Sequence, residues 1–123
     1  MEYMKSFIFD TYALIEIIQG NKNYGPYLNS RVIINNFIFA ELCYILIRDG
    51  YPKLEKYLEL YKKFIVNLNP QIIKEAMNFR HKNKHKNMSI PDCISYFQSK
   101  ELGILFLTGD KEFESMENVE FVK

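Results

Sequence analysis

The period of the hydrophobic positions changes repeatedly along these 123 residues, and each change marks an element. Phe7-Ile8-Phe9 joins aromatic and β-branched residues without a polar interruption, the mark of a short strand buried on both faces. Asp10 ends that run, and a helical pattern follows at once through Tyr12, Ala13, Leu14, Ile15, Ile17 and Ile18 until Gly20 stops it. Asn21–Ser30 is polar, carries Gly25 and Pro26, and reads as a loop. Val32-Ile33-Ile34 repeats the buried-strand signature. From Phe37 to Ile47 every position but one is apolar, as in a helix covered on nearly all sides; the exception is Glu41.

Gly50-Tyr51-Pro52 breaks the chain, and Pro52 or Lys53 opens a third helix. Its apolar positions, Leu54, Tyr57, Leu58, Tyr61, Phe64 and Ile65, fall at i, i+3, i+4, i+7 spacing. Ile65–Leu68 is expected to form a short third strand. Asn69 as N-cap and Pro70 at the first helical position start a fourth helix, which turns Ile72, Ile73, Ala76 and Met77 inward and dissolves into Arg80–Lys86. Ser89-Ile90-Pro91-Asp92 opens a fifth, with Ile90, Cys93, Ile94 and Phe97 as its apolar face and Gly103 as its stop. Ile104–Leu107 is a fourth strand, Thr108-Gly109-Asp110 a turn, and Val119–Val122 a last edge strand. Strands alternating with helices predict an α/β fold: a parallel sheet with helices on both faces and right-handed crossovers. No repeat, low-complexity tract or linker divides residues 1–123, so a single domain is expected.

Composition changes this picture little. At 48% apolar and 15% aromatic the chain can build a core, and no stretch reads as a leader or a membrane span. Cys43 and Cys93 are isolated in apolar surroundings, as in a reduced, cytoplasmic protein with no membrane association. The net charge of +1 names no partner.

The acids change it more. Asp10, Asp92 and Asp110 each have a purely structural alternative as helix caps, Asp92 as the last residue of a Ser-x-x-Asp capping stretch. Glu41 is harder to explain that way. Inside an apolar helix a carboxylate is desolvated at a cost of several kcal/mol unless it is paired, for instance with Arg31 or Arg48, faces solvent, or is bound to metal. The topology brings Asp10, Asp92 and Asp110 to one sheet edge, the edge where open α/β sheets gather their chemistry, and a right-handed crossover points Glu41 there too. Four carboxylates in one pocket repel unless a hard divalent cation neutralises them, and oxygen-only ligation selects Mg²⁺ or Mn²⁺ over zinc. With four of the 15 acids so occupied, 11 face 16 Lys and Arg, a surplus of +5 that suits a polyanionic substrate. His81 and His85 stand four apart as zinc ligands do on a helix, yet they lie among Lys and Asn and read as a solvated loop. Arg80, Lys82, Lys84 and Lys86 form the only dense basic run, either a solvated helix end or a phosphate-contacting flank.

The order Asp10-Thr11, Glu41, Asp92, then Thr108-Gly109-Asp110 resembles the PIN domain, and the short single-domain form resembles the VapC-type toxins. Phe9-Asp10-Thr11 opening a helix and Leu107–Phe113 follow the family pattern, while Pro91 and Cys93 depart from its small surroundings beside the third acid. The resemblance implies a parallel sheet in the order 3-2-1-4-5 and a metal-dependent endoribonuclease acting on RNA. It implies Asp10, Glu41, Asp92 and Asp110 as catalytic metal ligands, with Thr11, Thr108 and Glu112 in support. It also implies a homodimer and a cognate antitoxin. Nine tyrosines, among them Tyr44, Tyr51, Tyr57 and Tyr61 on or beside the second and third helices, either complete the core or supply the dimer surface. Two rivals stand beside this reading. A non-catalytic PIN-like module would bind RNA or protein with the same fold. A phospho-acceptor receiver domain needs an acid after its third strand, where this chain has Asn69-Pro70.

Overall fold

In the computed structural model, which describes residues 4–123, a parallel sheet is sandwiched between two helical layers. The strands are β1 (Ser6–Phe9), β2 (Arg31–Ile33), β3 (Leu105–Thr108) and β4 (Val119–Phe121). They lie in the order β2-β1-β3-β4, all neighbours parallel. The helices are α1 (Thr11–Ile18), α2 (Asn36–Arg48), α3 (Leu54–Tyr61), α4 (Pro70–Lys82) and α5 (Ile90–Leu102).

The side-chain alternation of β1 builds both cores. Phe7 and Phe9 face one way, onto Ala13 and Leu14 of α1, Ile38, Leu42 and Leu46 of α2, and Tyr61 of α3. Ile8 faces the other way, onto Ala76 of α4, Cys93, Ile94 and Tyr96 of α5, and Phe106 and Phe113. Each buried Leu, Ile or Phe among them contributes about 1.5–3 kcal/mol over an exposed one, so the central strand is anchored from both faces. Register follows from the same constraint: Ile8 lies between Ile33 of β2 and Phe106 of β3, and a slip of one residue would invert every contact.

The expected third strand is reduced to a single parallel bridge, Ile34 to Ile65. Ile34 N–H donates to Phe64 O (3.0 Å) and Val66 N–H to Ile34 O (2.8 Å); pairing then stops, because the Asn69 cap and Pro70 start α4 three residues on. A 3₁₀ turn over Lys62–Phe64 shortens the third helix, which begins only at Leu54, after Lys53 in a left-handed conformation (φ 61°). The loop after α1 is also more ordered than its composition suggests: Lys22–Tyr27 form a 3₁₀ helix capped by Asn21. Its Tyr24 is fully buried and donates through its hydroxyl to Val122 O (2.5 Å), so the segment straps the end of the edge strand. Among the described residues no helix is long and apolar enough to cross a membrane.

A polar seam fixes α2 against α5. Asn35 caps α2 by accepting from Phe37 and Ile38 N–H (both 3.0 Å), while its amide donates to Ser95 Oγ (3.0 Å) and Gln98 Oε1 (2.9 Å) of α5. All three side chains are at most 1% exposed. Beyond this clamp, Glu41 of α2 and Asp92 of α5 line one cavity.

Candidate active site

Asp10 follows β1 as the N-cap of α1 and is 1% exposed. Its Oδ1 accepts from Ala13 N–H (2.7 Å) and its Oδ2 from the Thr108 hydroxyl (2.5 Å). Thr108, fully buried at the end of β3, also accepts from Asp110 N–H (3.0 Å), and Asp110 Oδ1 accepts from Glu112 N–H (3.0 Å) to cap the 3₁₀ turn Lys111–Phe113. Capping and convergence are therefore compatible: the cap bond fixes each carboxylate beside its neighbour. Glu41, half-buried on α2, accepts from the Thr11 hydroxyl (2.6 Å). Asp92 lies in the first turn of α5, whose N-cap Ser89 accepts from Asp92 N–H (3.1 Å).

Asp10, Glu41, Asp92 and Asp110 line one cavity of about 650 Å³ with Thr11 and Ser89. Burial pushes the Asp10 carboxyl up to about 7, against the Thr108 and Ala13 hydrogen bonds that lower it, with Asp110 and Glu41 adding repulsion. Burial likewise pushes Asp92 up to about 8, with Asp10, Glu41 and Asp110 raising it further. The site is thus short of positive charge at its floor. Among the described residues no group of three or more His, Cys, Asp or Glu side chains is already arranged as a metal site. As donors the four acids are all oxygen, which fits Mg²⁺ or Mn²⁺ and not zinc. Glu41 has no ion pair among the described residues; Arg48 is held instead by Asp49 (Nε to Oδ1 2.9 Å).

The remaining sequence-predicted residues fall farther out. Glu112 meets the cluster through its backbone amide, and its side chain does not line the cavity. Arg80, Lys82, Lys84 and Lys86 do not line it either: Arg80 and Lys82 end α4, Arg80 Nε donates to Met88 O (3.0 Å), and Lys84 and Lys86 lie in the following turn. His81 and His85 share no helix, since α4 ends at Lys82, and both are exposed. Cys93 is buried, its thiol pushed up to about 11 by that burial, and Cys43 is half-buried; both are free. Sequence reasoning missed the rest of the wall: Tyr12, Ile15 and Ile45 make an apolar side, and Lys111 and Lys123 bring cations to the rim. The helical period of α1 and α2 held a signal for Ile15 and Ile45, which lie four residues on from Thr11 and Glu41 on the same helix faces. Of the four tyrosines near α2 and α3, Tyr61 is core, Tyr51 and Tyr57 pair edge to face, and Tyr44 is 65% exposed.

A family model of the PIN domain matches residues 7–119, most of the chain. Among solved structures, the chain is similar to a toxin–antitoxin complex from Klebsiella pneumoniae (19% identity, TM-score 0.75, covering 93% of this chain and 95% of that one). It is also similar to VapC20 of Mycobacterium tuberculosis, a toxin that cleaves the sarcin-ricin loop (14% identity, TM-score 0.74, covering 95% and 99%). No curated protein matches.

Proposed function

Because the chain belongs to the PIN-domain family, we propose that its acidic cavity is the active site of an endoribonuclease dependent on Mg²⁺ or Mn²⁺. The observation that carries this reading is the convergence of four carboxylates from four separate segments on one cavity, with two of them pushed well above the usual range. A protein gains nothing in stability from such a cluster; a cation-dependent reaction does gain from it.

Asp10, Glu41, Asp92 and Asp110 would hold the cation. When bound, it would supply an acidified water as nucleophile and charge stabilisation for the phosphate and its leaving oxygen. The chain's own residues keep the acids aimed. Thr108 ties Asp10 to the Asp110 backbone, Thr11 tethers Glu41, and the Asn35 clamp keeps α2 and α5 at a fixed spacing. Tyr12, Ile15 and Ile45 offer an apolar wall that excludes water from one side of the reacting group. Arg80, Lys82, Lys84 and Lys86 serve as an outlying flank for RNA.

We further read the protein as a toxin paired with an antitoxin, a reading supported by the family and by the similarity to a toxin–antitoxin complex. The exposed Tyr44 and Ile47 of α2 (65% and 61%) are the apolar surface on which a second copy would rest, while a segment of the antitoxin would lie across the acidic cavity.

The test is cleavage of RNA by the purified protein with Mg²⁺ or Mn²⁺, its arrest by EDTA, and its loss in Asp10→Asn and Asp110→Asn variants that remain folded. Full activity in both variants would remove the assignment. RNA binding without any cleavage would instead favour the non-catalytic module.

A further inference from the structure

The rim of the acidic cavity carries three cations, and they are not equivalent. Arg48 is engaged by Asp49 through two contacts (Nε to Oδ1 2.9 Å, Nη2 to Oδ2 3.3 Å), so its charge is locally cancelled. Lys111 and Lys123 have no carboxylate within 4.0 Å among the described residues, although acids line the same cavity. Opposite charges sharing a cavity without pairing leave room for a group that answers both, and a phosphodiester beside a cation is such a group.

Lys123 is also held in place. Val122 N–H donates to Thr108 O (2.9 Å), the Tyr24 hydroxyl donates to Val122 O (2.5 Å), and the Asn23 side chain donates to Lys123 O (3.0 Å). The ammonium lies 5.5 Å from the centre of the Tyr12 ring and 3.5 Å from Gly109 O. Gly109 itself fits so tightly that a Cβ there would fall 2.1 Å from Tyr12 Cε1 and 2.7 Å from Val122 O. The turn bearing Asp110, the Tyr12 ring and the end of the edge strand are therefore one packed unit, with Lys123 on it. By contrast, Lys84 and Lys86 lie in a turn outside the cavity.

We propose that Lys111 and Lys123 are the phosphate-contacting cations of this site, gripping the RNA backbone beside the acids. This assignment rests on the nuclease reading and adds to it the residues that bind substrate. Pre-organisation favours Lys123 in particular, because less side-chain freedom is lost on binding.

The experiment is a KCl titration of the binding of a labelled single-stranded RNA oligonucleotide to the Asp10→Asn protein at constant Mg²⁺, with cleavage by the wild type measured in parallel. Replacing Lys111 and Lys123 by Gln together should lower the slope of log K against log[salt] by about 1.4, or about 0.7 for each contact. Lys123→Arg should restore its share, since charge at that place is what acts. In a cleavage-competent background the same Gln variants should raise KM with kcat little changed. An unchanged slope in the double Gln variant, with wild-type cleavage intact, overturns the assignment and leaves the nuclease reading standing. A wild type that neither binds nor cuts RNA overturns both.

Discussion

Two polar clusters occupy the same seam between α2 and α5, and they are built on opposite principles. Asn35, Ser95 and Gln98 are neutral, buried, and satisfy one another, with the Asn67 carbonyl accepting from Gln98 Nε2 (3.5 Å). Six residues farther along α2 and three back along α5, Glu41 and Asp92 join Asp10 and Asp110 in a cluster of one sign. The first is complete in itself and acts as a clamp. The second is held by Thr11, Thr108 and backbone amides in an arrangement that its own charges oppose. A buried polar group is structural when its partners lie inside the protein, and a functional candidate when the partner must come from outside.

Exchanging the chemistry of the two clusters separates them most sharply. Asn35→Asp keeps the helix cap and the shape but sets a carboxylate against Gln98 Oε1 and removes both donors. It should cost on the order of 3 kcal/mol, read as a lowered midpoint in urea. Asp10→Asn, the opposite exchange, should leave the midpoint unchanged or raised, since Asn caps α1 as well as Asp does and mutual repulsion is relieved. A comparable loss in both variants would mean that the clusters do not differ as described.

A smaller effect is expected from pH. The Asp10 and Asp92 carboxyls are raised from 3.8 to about 7 and about 8. Between those values the folded protein keeps protons that the unfolded chain has already released, so metal-free stability falls as pH rises through that window. Tm without divalent cation should drop from pH 5 to pH 8, and Mg²⁺ should recover part of it at pH 8. Asp49 and Glu117, whose carboxyls are lowered by Arg48 and Lys100, titrate below this range and do not blur it. A Tm that climbs from pH 5 to pH 8 would contradict the burial argument. Smallest of all, Glu112→Gln should move stability by less than about 0.5 kcal/mol and leave cleavage intact, because only its backbone touches the cluster.

Asp10 and Asp110 stood out in the sequence because each sits where one local pattern hands over to another, Asp10 between strand and helix and Asp110 after a strand, and Glu41 because it stands alone among the apolar residues of a helix. The parallel sheet with helices on both faces was legible from the alternation of strands and helices, while its strand order came with the resemblance to the family. What lay hidden was non-local. Ser95 and Gln98 look like any polar positions of a helix until α2 brings Asn35 against them. Lys123 reaches the cavity only because β4 pairs with β3 and Tyr24, far away in sequence, seizes Val122. The third strand failed for a local reason, the Asn69-Pro70 helix start that cut its pairing short.

The strap across the edge strand has a consequence in time. The bonds from Tyr24 to Val122 and from Thr108 to Asp10 each span 98 residues, and β1, the central strand, lacks its β3 neighbour until residues 105–108 exist. A chain being synthesised at about 5–20 residues per second can pack α1 and α2 against one face of β1 early. It cannot bring Asp10 and Asp110 together until Asp110 itself has left the ribosome, so the acidic cavity forms after α1 and α2 have packed.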